Sequence, residues 1–418
     1  MPLGLDRPAT RQIWFINAAH TVCHYMLLIL ATAVLGMVAA DGARFGNEYG
    51  PVLALGTFMF VLYGVGALPM GWLAAKVGRH ALMGAFFLGV GGSLVLAGFA
   101  TGPWGLAAAL ALAGAFNAIY HPIGTAMLVE AAGDRVGRAM GNNGVFGNIG
   151  VSFAPVVTAF IVAGAGWRPA FIVPGIVALV LGVLWLRETP YDARLHAGAA
   201  KPFPAIPRAV VRRAVISLLL MAVSSGFVFN AFTLLVPKLM QERMAGGALA
   251  LVGALAFVAT LFGGLTQFTV GRLIDRTTLK RVFLPLALLQ VPALLALSFL
   301  GGWAVLPVAA VAAASIFGQV TVNETMTARY VAPELRAKLY SIRFFVGFLG
   351  AAAASPLVGF LHDATGNLAL TMVVLAAIGG ITLFCALFFP DREEELRPEL
   401  WARSSAAPGA APNAVAAE

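Results

Sequence analysis

Residues 71–76 read Gly71-Trp72-Leu73-Ala74-Ala75-Lys76, and residues 271–276 read Gly271-Arg272-Leu273-Ile274-Asp275-Arg276. Each hexapeptide ends a long apolar run and opens a short basic loop. The offset of 200 residues also aligns Asp134, Arg138, Gly147 and Gly150 with Glu334, Lys338, Gly347 and Gly350. Pro155 and Pro356 fall one residue out of that register. Gly-rich apolar segments align easily by chance, but two separate loop motifs sharing one offset do not. The chain therefore reads as a tandem repeat. Parallel repeats about an axis along the membrane normal are a transporter architecture, with the substrate site near the midplane between the halves.

Working outward, runs free of Asp, Glu, Lys and Arg cover 12–40, 49–75, 81–129, 139–167, 169–186, 214–237, 244–271, 282–323, 344–361 and 364–390. A membrane helix needs about 20 such residues. The runs 81–129 and 282–323 are long enough for two helices each. Turn residues split them at Thr101-Gly102-Pro103 and Gly301-Gly302-Trp303. Twelve spans result. Isolated prolines such as Pro122, Pro155 and Pro356 are tolerated in such spans and are expected to kink them.

Composition agrees. Hydrophobic residues make up 60% of 418 positions and charged residues 11%, with mean hydropathy +0.89. A soluble domain carries about 25% charged residues, so a water-soluble fold is excluded. Cys23 and Cys385 lie in apolar runs, which argues against a disulfide framework or a cysteine metal site. Met1 to Arg11 is polar, and the apolar stretch after it exceeds a signal-peptide core, so no cleavable signal is expected.

The net charge of +9 does not indicate nucleic-acid binding, because the charges lie between apolar runs. With the N-terminus in the cytoplasm, the inner segments hold most Lys and Arg, among them Lys76, Arg79, Arg135, Arg138, Arg272, Arg276 and Arg329. The outer segments hold Arg44, Arg168, Lys238 and Arg243. This asymmetry predicts cytoplasmic N- and C-termini, and the protein is expected to be integral to the cell (inner) membrane. The expected division is an N-terminal bundle at 1–187, a Pro-rich linker at 188–213, a C-terminal bundle at 214–390 and a tail at 391–418.

Over residues 10–390 the chain resembles the major facilitator superfamily. That family's loop after the second span reads G-x-L-A-D-R-x-G-R-R/K. Here the first copy is Gly71-Trp72-Leu73-Ala74-Ala75-Lys76-Val77-Gly78-Arg79-His80, with Ala75 for the Asp and Lys76 for the Arg. The second copy keeps Asp275 and Arg276. The resemblance implies an all-α fold of twelve spans in two pseudo-symmetric six-helix bundles. It also implies alternating access, with gating residues at Gly71, Lys76, Gly78, Arg79, Gly271, Asp275 and Arg276. His121-Pro122, Gly147-Asn148-Ile149-Gly150 and Ala154-Pro155 resemble the fosmidomycin-resistance-like exporters. Span 5 is also similar to a drug/proton antiporter motif, with Ala154 in place of a Gly and Val156-Val157 in place of a following Gly pair. The Arg that the family usually carries in span 4 is absent.

Polar residues inside spans are costly and so mark functional sites. The resemblance implies that spans 1, 4, 7 and 10 line a central cavity. Span 1 offers Asn17, His20 and His24, one stripe at spacings of three and four. Span 4 offers Asn117, Tyr120 and His121, span 7 Ser224, Ser225 and Asn230, and span 10 Gln319, Asn323 and Glu324. Gln319 and Asn323 share a face, while Glu324 points about 100° away. Glu324 and Arg343 each lie about 8 Å inside the membrane boundary on consecutive spans, so an ion pair is expected. Asn142, Asn143 and Asn148 of span 5 read as packing groups.

The expected activity is secondary transport of a small organic solute, coupled to protons and directed to efflux. Histidine and a buried carboxylate are groups able to change charge during a cycle. The proton candidates are His20, His24, His121 and Glu324, with Arg343 as the ion-pair partner. The alternatives are an uptake permease for an organic anion or a metal chelate, and a membrane sensor that has lost transport. No enzyme, cofactor or resident metal is expected, since a membrane metalloenzyme needs more ligands than His20-x-x-x-His24 supplies. The expected partners are a small-molecule substrate, protons and the bilayer, with the protein a monomer.

Overall fold

The computed structural model describes residues 7–132, 136–189, 206, 208–245, 248–274, 276–331 and 333–390. Asp134, Asp275 and the tail after 390 lie outside the described residues, as does most of the linker.

Charge-free length dictates helices, and among the described residues twelve are long and apolar enough to cross a membrane. Spans 1 to 6 are Pro8–Phe45, Tyr49–Gly66, Arg79–Gly98, Pro103–Ala132, Arg138–Ala165 and Trp167–Arg187. Spans 7 to 12 are Arg208–Met244, Leu249–Ile274, Leu279–Phe299, Gly302–Thr327, Phe345–Thr365 and Ala369–Phe388. The two breaks expected inside double runs occur at those turns. Gly102 is extended and Pro103 starts span 4, while a 3-10 turn at Gly302–Ala304 starts span 10. The side chains of Trp104 and Trp303 are largely exposed just after them. These rings sit at equivalent points of the two halves, where an amphipathic indole favours the membrane–water boundary.

The halves repeat each other in packing. Spans 1 and 5, 2 and 4, and 3 and 6 pair in the first half. Spans 7 and 11, 8 and 10, and 9 and 12 pair correspondingly in the second. The halves meet where span 5 packs on span 8 and span 2 on span 11. This is a two-fold arrangement of six-helix bundles. Small residues let the backbones approach, since lipid offers no hydrophobic force between helices and close packing must supply the attraction. A methyl group on Gly91 would stand 2.7 Å from the Gly175 carbonyl oxygen, between spans 3 and 6. One on Gly253 would stand 2.8 Å from the Pro155 carbonyl oxygen, between the halves. Span 6 turns Ile176, Val177 and Val180 outward, a surface suited to lipid tails.

Basic side chains close several helix ends. Arg213 Nη2 donates to the Phe388 carbonyl at 2.9 Å, Lys280 Nζ to the Leu387 carbonyl at 2.8 Å, and Arg329 Nη2 to the Ile274 carbonyl at 3.1 Å. At the opposite end of the bundle, Arg168 Nη1 donates to the Gly98 and Ala100 carbonyls at 3.0 and 2.8 Å. Arg243 Nη2 reaches the Ser298 carbonyl at 3.1 Å. Terminal carbonyls lack intrahelical donors and carry the negative end of the helix dipole, so cations settle there. Arg168 and Arg243 therefore have a local structural reason to stand at the end poorer in basic residues.

Candidate functional site

The site is built on span 1 and assembled by spans 4 and 5. His20 and His24 stand one helical turn apart, and their Nε2 atoms are 3.1 Å apart. Span 4 changes winding at Tyr120–Gly124, a π-helical turn containing His121 and Pro122. Proline removes one donor from the helix ladder, and such wide turns recur at functional sites. The turn carries His121 edge-on to both histidines, with ring centroids 5.4 Å from His20 and 5.7 Å from His24. Tyr120 stacks on His20 at 4.9 Å.

Asn143 of span 5 ties this cluster together. Its backbone carbonyl faces His20 Nδ1 at 2.7 Å. Its Nδ2 donates to Asn17 Oδ1 at 2.9 Å, and Tyr120 Oη donates to its Oδ1 at 3.1 Å. One residue thus touches three of the residues singled out in the sequence. Its neighbourhood depends on glycine. A methyl group on Gly147 would stand 2.6 Å from the His20 ring, and one on Gly150 would collide with the Thr21 backbone carbonyl. Spans 1 and 5 can approach only with those side chains missing.

The other expected cavity residues are distributed differently. Asn117 is fully buried and donates from Nδ2 to the Cys23 carbonyl at 3.3 Å. Asn230 donates to the Gly226 carbonyl of its own helix at 2.8 Å. Ser224 bonds Thr382 of span 12 at 2.9 Å. Gln319 is fully buried and donates to Gln290 of span 9. Asn323 is buried, and its side-chain oxygen has no hydrogen-bond partner among the described residues. Glu324 and Arg343 form an ion pair between the tenth and eleventh helices. The Arg343 side chain is 9% exposed and that of Glu324 39%, so the guanidinium is the buried partner and the carboxylate the open one.

At the loops, Gly78 adopts φ +87°, a left-handed value that glycine accepts without strain. It turns the chain between the helix Met70–Val77 and span 3. Arg79 forms an ion pair with Glu130 at the end of span 4, and Lys76 lies 3.9 Å over the Trp72 ring. Gly71 is exposed, as is Arg276 of the second loop. Gly271 packs near Thr321. The Asp275 expected to gate there lies outside the described residues.

Sequence reasoning treated Asn143 as packing and assigned no role to the far end of the bundle. There, Gly50 N–H donates to Asp363 Oδ1 at 3.3 Å, from span 2 to span 11. Glu242 Oε1 bonds His362 Nε2 at 2.7 Å and pairs with Lys238 at 3.7 Å, and its Oε2 accepts from Leu368 N–H at 3.2 Å. The Tyr49 ring packs on His362 at 5.1 Å and under Lys238 Nζ at 5.3 Å. Ser355 Oγ donates to the Leu53 carbonyl at 2.9 Å. This end is closed across the two halves. The charged residues flanking the spans here were the available sequence signal.

Twelve apolar spans in two repeated bundles around a buried polar centre define an integral membrane protein with the fold of secondary transporters. The Major Facilitator Superfamily profile matches residues 13–323 and 245–412, and the chain belongs to that family. It is 26% identical over 301 residues to an uncharacterized MFS-type transporter, YfnC, of Bacillus subtilis, covering 66% of this chain and 69% of that one. It is 30% identical over 146 residues to the membrane sensor protein UhpC of Salmonella typhimurium, covering 32% of each chain. Among solved structures, it overlays a bacterial homologue of the human lysosomal transporter Spinster with TM-score 0.68 at 13% identity, covering 97% of this chain and all of that one. The Escherichia coli fucose:proton symporter FucP matches with TM-score 0.58 at 15% identity, over 92% of this chain and all of that one.

Proposed function

We propose that this protein is a proton-coupled secondary transporter that exports a small organic solute by rocking its two six-span halves. Both termini lie in the cytoplasm, and the closed end at Gly50–Asp363 faces outward. The reading rests first on the Glu324–Arg343 pair inside the C-terminal half. Glu324 lies within span 10 and Arg343 just before span 11, and ionisable residues at membrane depth are costly and mark ion pathways. Protonating Glu324 would remove the carboxylate charge from Arg343 and free the tenth and eleventh helices to shift. Export is supported by the His121-Pro122 and span 5 glycine motifs that resemble the fosmidomycin-resistance-like exporters.

The test uses proteoliposomes and the variant Glu324→Gln. Gln keeps the shape and a hydrogen-bond acceptor but cannot carry a proton. The expected result is loss of transport driven by a pH gradient with substrate exchange retained. Unchanged pH-driven transport would remove Glu324 from coupling. Direction is read by growth of a deletion strain: sensitivity to toxic compounds supports export, and failure on one nutrient supports uptake. A second reading, a sensor without transport, is favoured by the partial likeness to UhpC. Counterflow of any solute would reject it.

A further inference from the structure

His20 and His24 lie on span 1 and His121 on span 4, yet one ring nitrogen of each lies within 4.8 Å of the others. Tetrahedral zinc with Zn–N bonds of about 2.0–2.1 Å holds its ligand nitrogens about 3.3 Å apart. The His20 and His24 Nε2 atoms already stand at 3.1 Å. The edges to His121, within 4.8 Å, would have to close toward that spacing on binding.

The surroundings of His20 fit a ligand rather than a packing residue. Its Nδ1 faces the Asn143 carbonyl at 2.7 Å and so carries the proton, which leaves the Nε2 lone pair directed at the other two rings. Metal-ligating histidines are held in this way, with the second ring nitrogen donating to a carbonyl that fixes both tautomer and orientation. Tyr120 stacks on the ring at 4.9 Å, and Gly147 leaves room for it on the side of span 5. His24 and His121 are only partly buried, so the cluster is not sealed in the core.

We propose that His20, His24 and His121 bind a borderline divalent transition metal such as Zn2+, with the fourth position open to a donor atom of a carried solute. Neutral imidazoles suit Zn2+, Ni2+ and Cu2+, and suit Mg2+ or Ca2+ poorly. Three neutral ligands leave the double positive charge uncompensated. An anionic fourth ligand, such as the carboxylate of an organic chelator, would reduce it. The proposal departs from the sequence expectation of no resident metal and lies nearer the metal-chelate alternative given there. It rests on the transporter reading for its purpose but not for the binding itself.

The test begins with the full chain in detergent, its affinity tag removed and its metal stripped, titrated with Zn2+ and in parallel with Co2+ as a spectroscopic probe. One metal per chain is expected, with the visible Co2+ band of a low-coordinate nitrogen site. Binding should weaken at least tenfold in His24→Ala and in His121→Ala. In Gly147→Ala, which moves the His20 ring without removing a ligand, it should weaken about 10–100-fold, as for other outer-shell changes. His196→Ala, in the linker expected at 188–213, should bind as the parent does. If an Ala variant does not fold, the matching Gln variant replaces it. Parent binding no tighter than that of the folded triple variant would overturn the proposal, as would binding that ignores His121.

Liposome exchange of radioactive zinc, alone and with citrate, separates a bare ion from a chelate, and exchange in either arm supports the site. Metal binding without counterflow of any solute would sink the transporter reading and leave the site standing. Counterflow of an organic solute without metal binding would do the reverse.

Discussion

Gly50 of span 2 donates its backbone N–H to Asp363 of span 11 across the two halves of the molecule. A methyl group on Gly50 would collide with the other Asp363 oxygen and stand 2.7 Å from the Gly359 carbonyl. The side chain of Asp363 can move, but the Gly359 backbone cannot without displacing span 11. Gly50→Val should therefore prevent this end from closing. In a Ser355→Cys background, labelling by a membrane-impermeant maleimide should rise several-fold, because Ser355 is buried by the contact with Leu53. Equal labelling with and without the Val would remove Gly50 from the closure.

Glu242 supports the same end from within the C-terminal half. Glu242→Ala would leave His362, Lys238 and the Leu368 N–H without their shared acceptor. Truncating a hydrogen-bonded charge costs about 1.5–3 kcal/mol. A Tm lowered by several degrees is expected in detergent, and Glu242→Gln should recover part of it. A Tm equal to the parent's in both variants would mean that the cluster adds nothing to stability.

Asn143 makes its bonds through both side-chain atoms and its backbone carbonyl. Asn143→Leu removes the bonds to Asn17 and Tyr120 and keeps the carbonyl that holds His20. Leaving buried polar partners unmet costs about 1–3 kcal/mol each, and membrane interiors bring the measured values toward the lower end. The expected outcome is a less stable protein with weakened solute exchange. Wild-type stability together with wild-type exchange would show that Asn143 only fills space.

Arg79 and Glu130 form an ion pair with 43% and 41% of their side chains exposed. Pairs this wet contribute about 0–1 kcal/mol. Arg79→Ala should leave Tm nearly unchanged. If the first loop gates transport, the turnover rate should still fall. Gly78→Ala, by contrast, forces a positive-φ, glycine-favouring conformation on a residue with a side chain, at a cost of about 1–3 kcal/mol. A stable Gly78→Ala protein with full activity would show that the loop tolerates another path.

Much of the fold is written in local sequence, because the membrane imposes one rule on every span. Charge-free length, the Gly102-Pro103 turn and the Gly301-Gly302 turn suffice to count twelve helices. The repeat of loop motifs further suggests two halves. The site was only partly legible. His20 and His24 share a stripe because they are four residues apart, a local fact. That His121 joins them depends on the winding of span 4 at Pro122, and that Asn143 holds them depends on how span 5 packs on span 1. Helix-wheel arguments do not fix such rotations. They likewise place Gln319 on a cavity stripe, whereas the fold turns it to Gln290 of span 9. The ion pair of Glu324 with Arg343 was easier, since consecutive helices and equal depth leave few other partners.

The three histidines belong to the first six spans, and the Glu324–Arg343 ion pair to the C-terminal half. Each half carries its own polar chemistry, and the two meet where the His121 ring packs on Phe348 of span 11, with centroids 6.4 Å apart. A lineage could therefore exchange one half and keep its partner, changing the energy source without changing the cargo, or the cargo without the source. Hybrid chains joined in the linker between Arg187 and Arg208 would inherit the two properties separately.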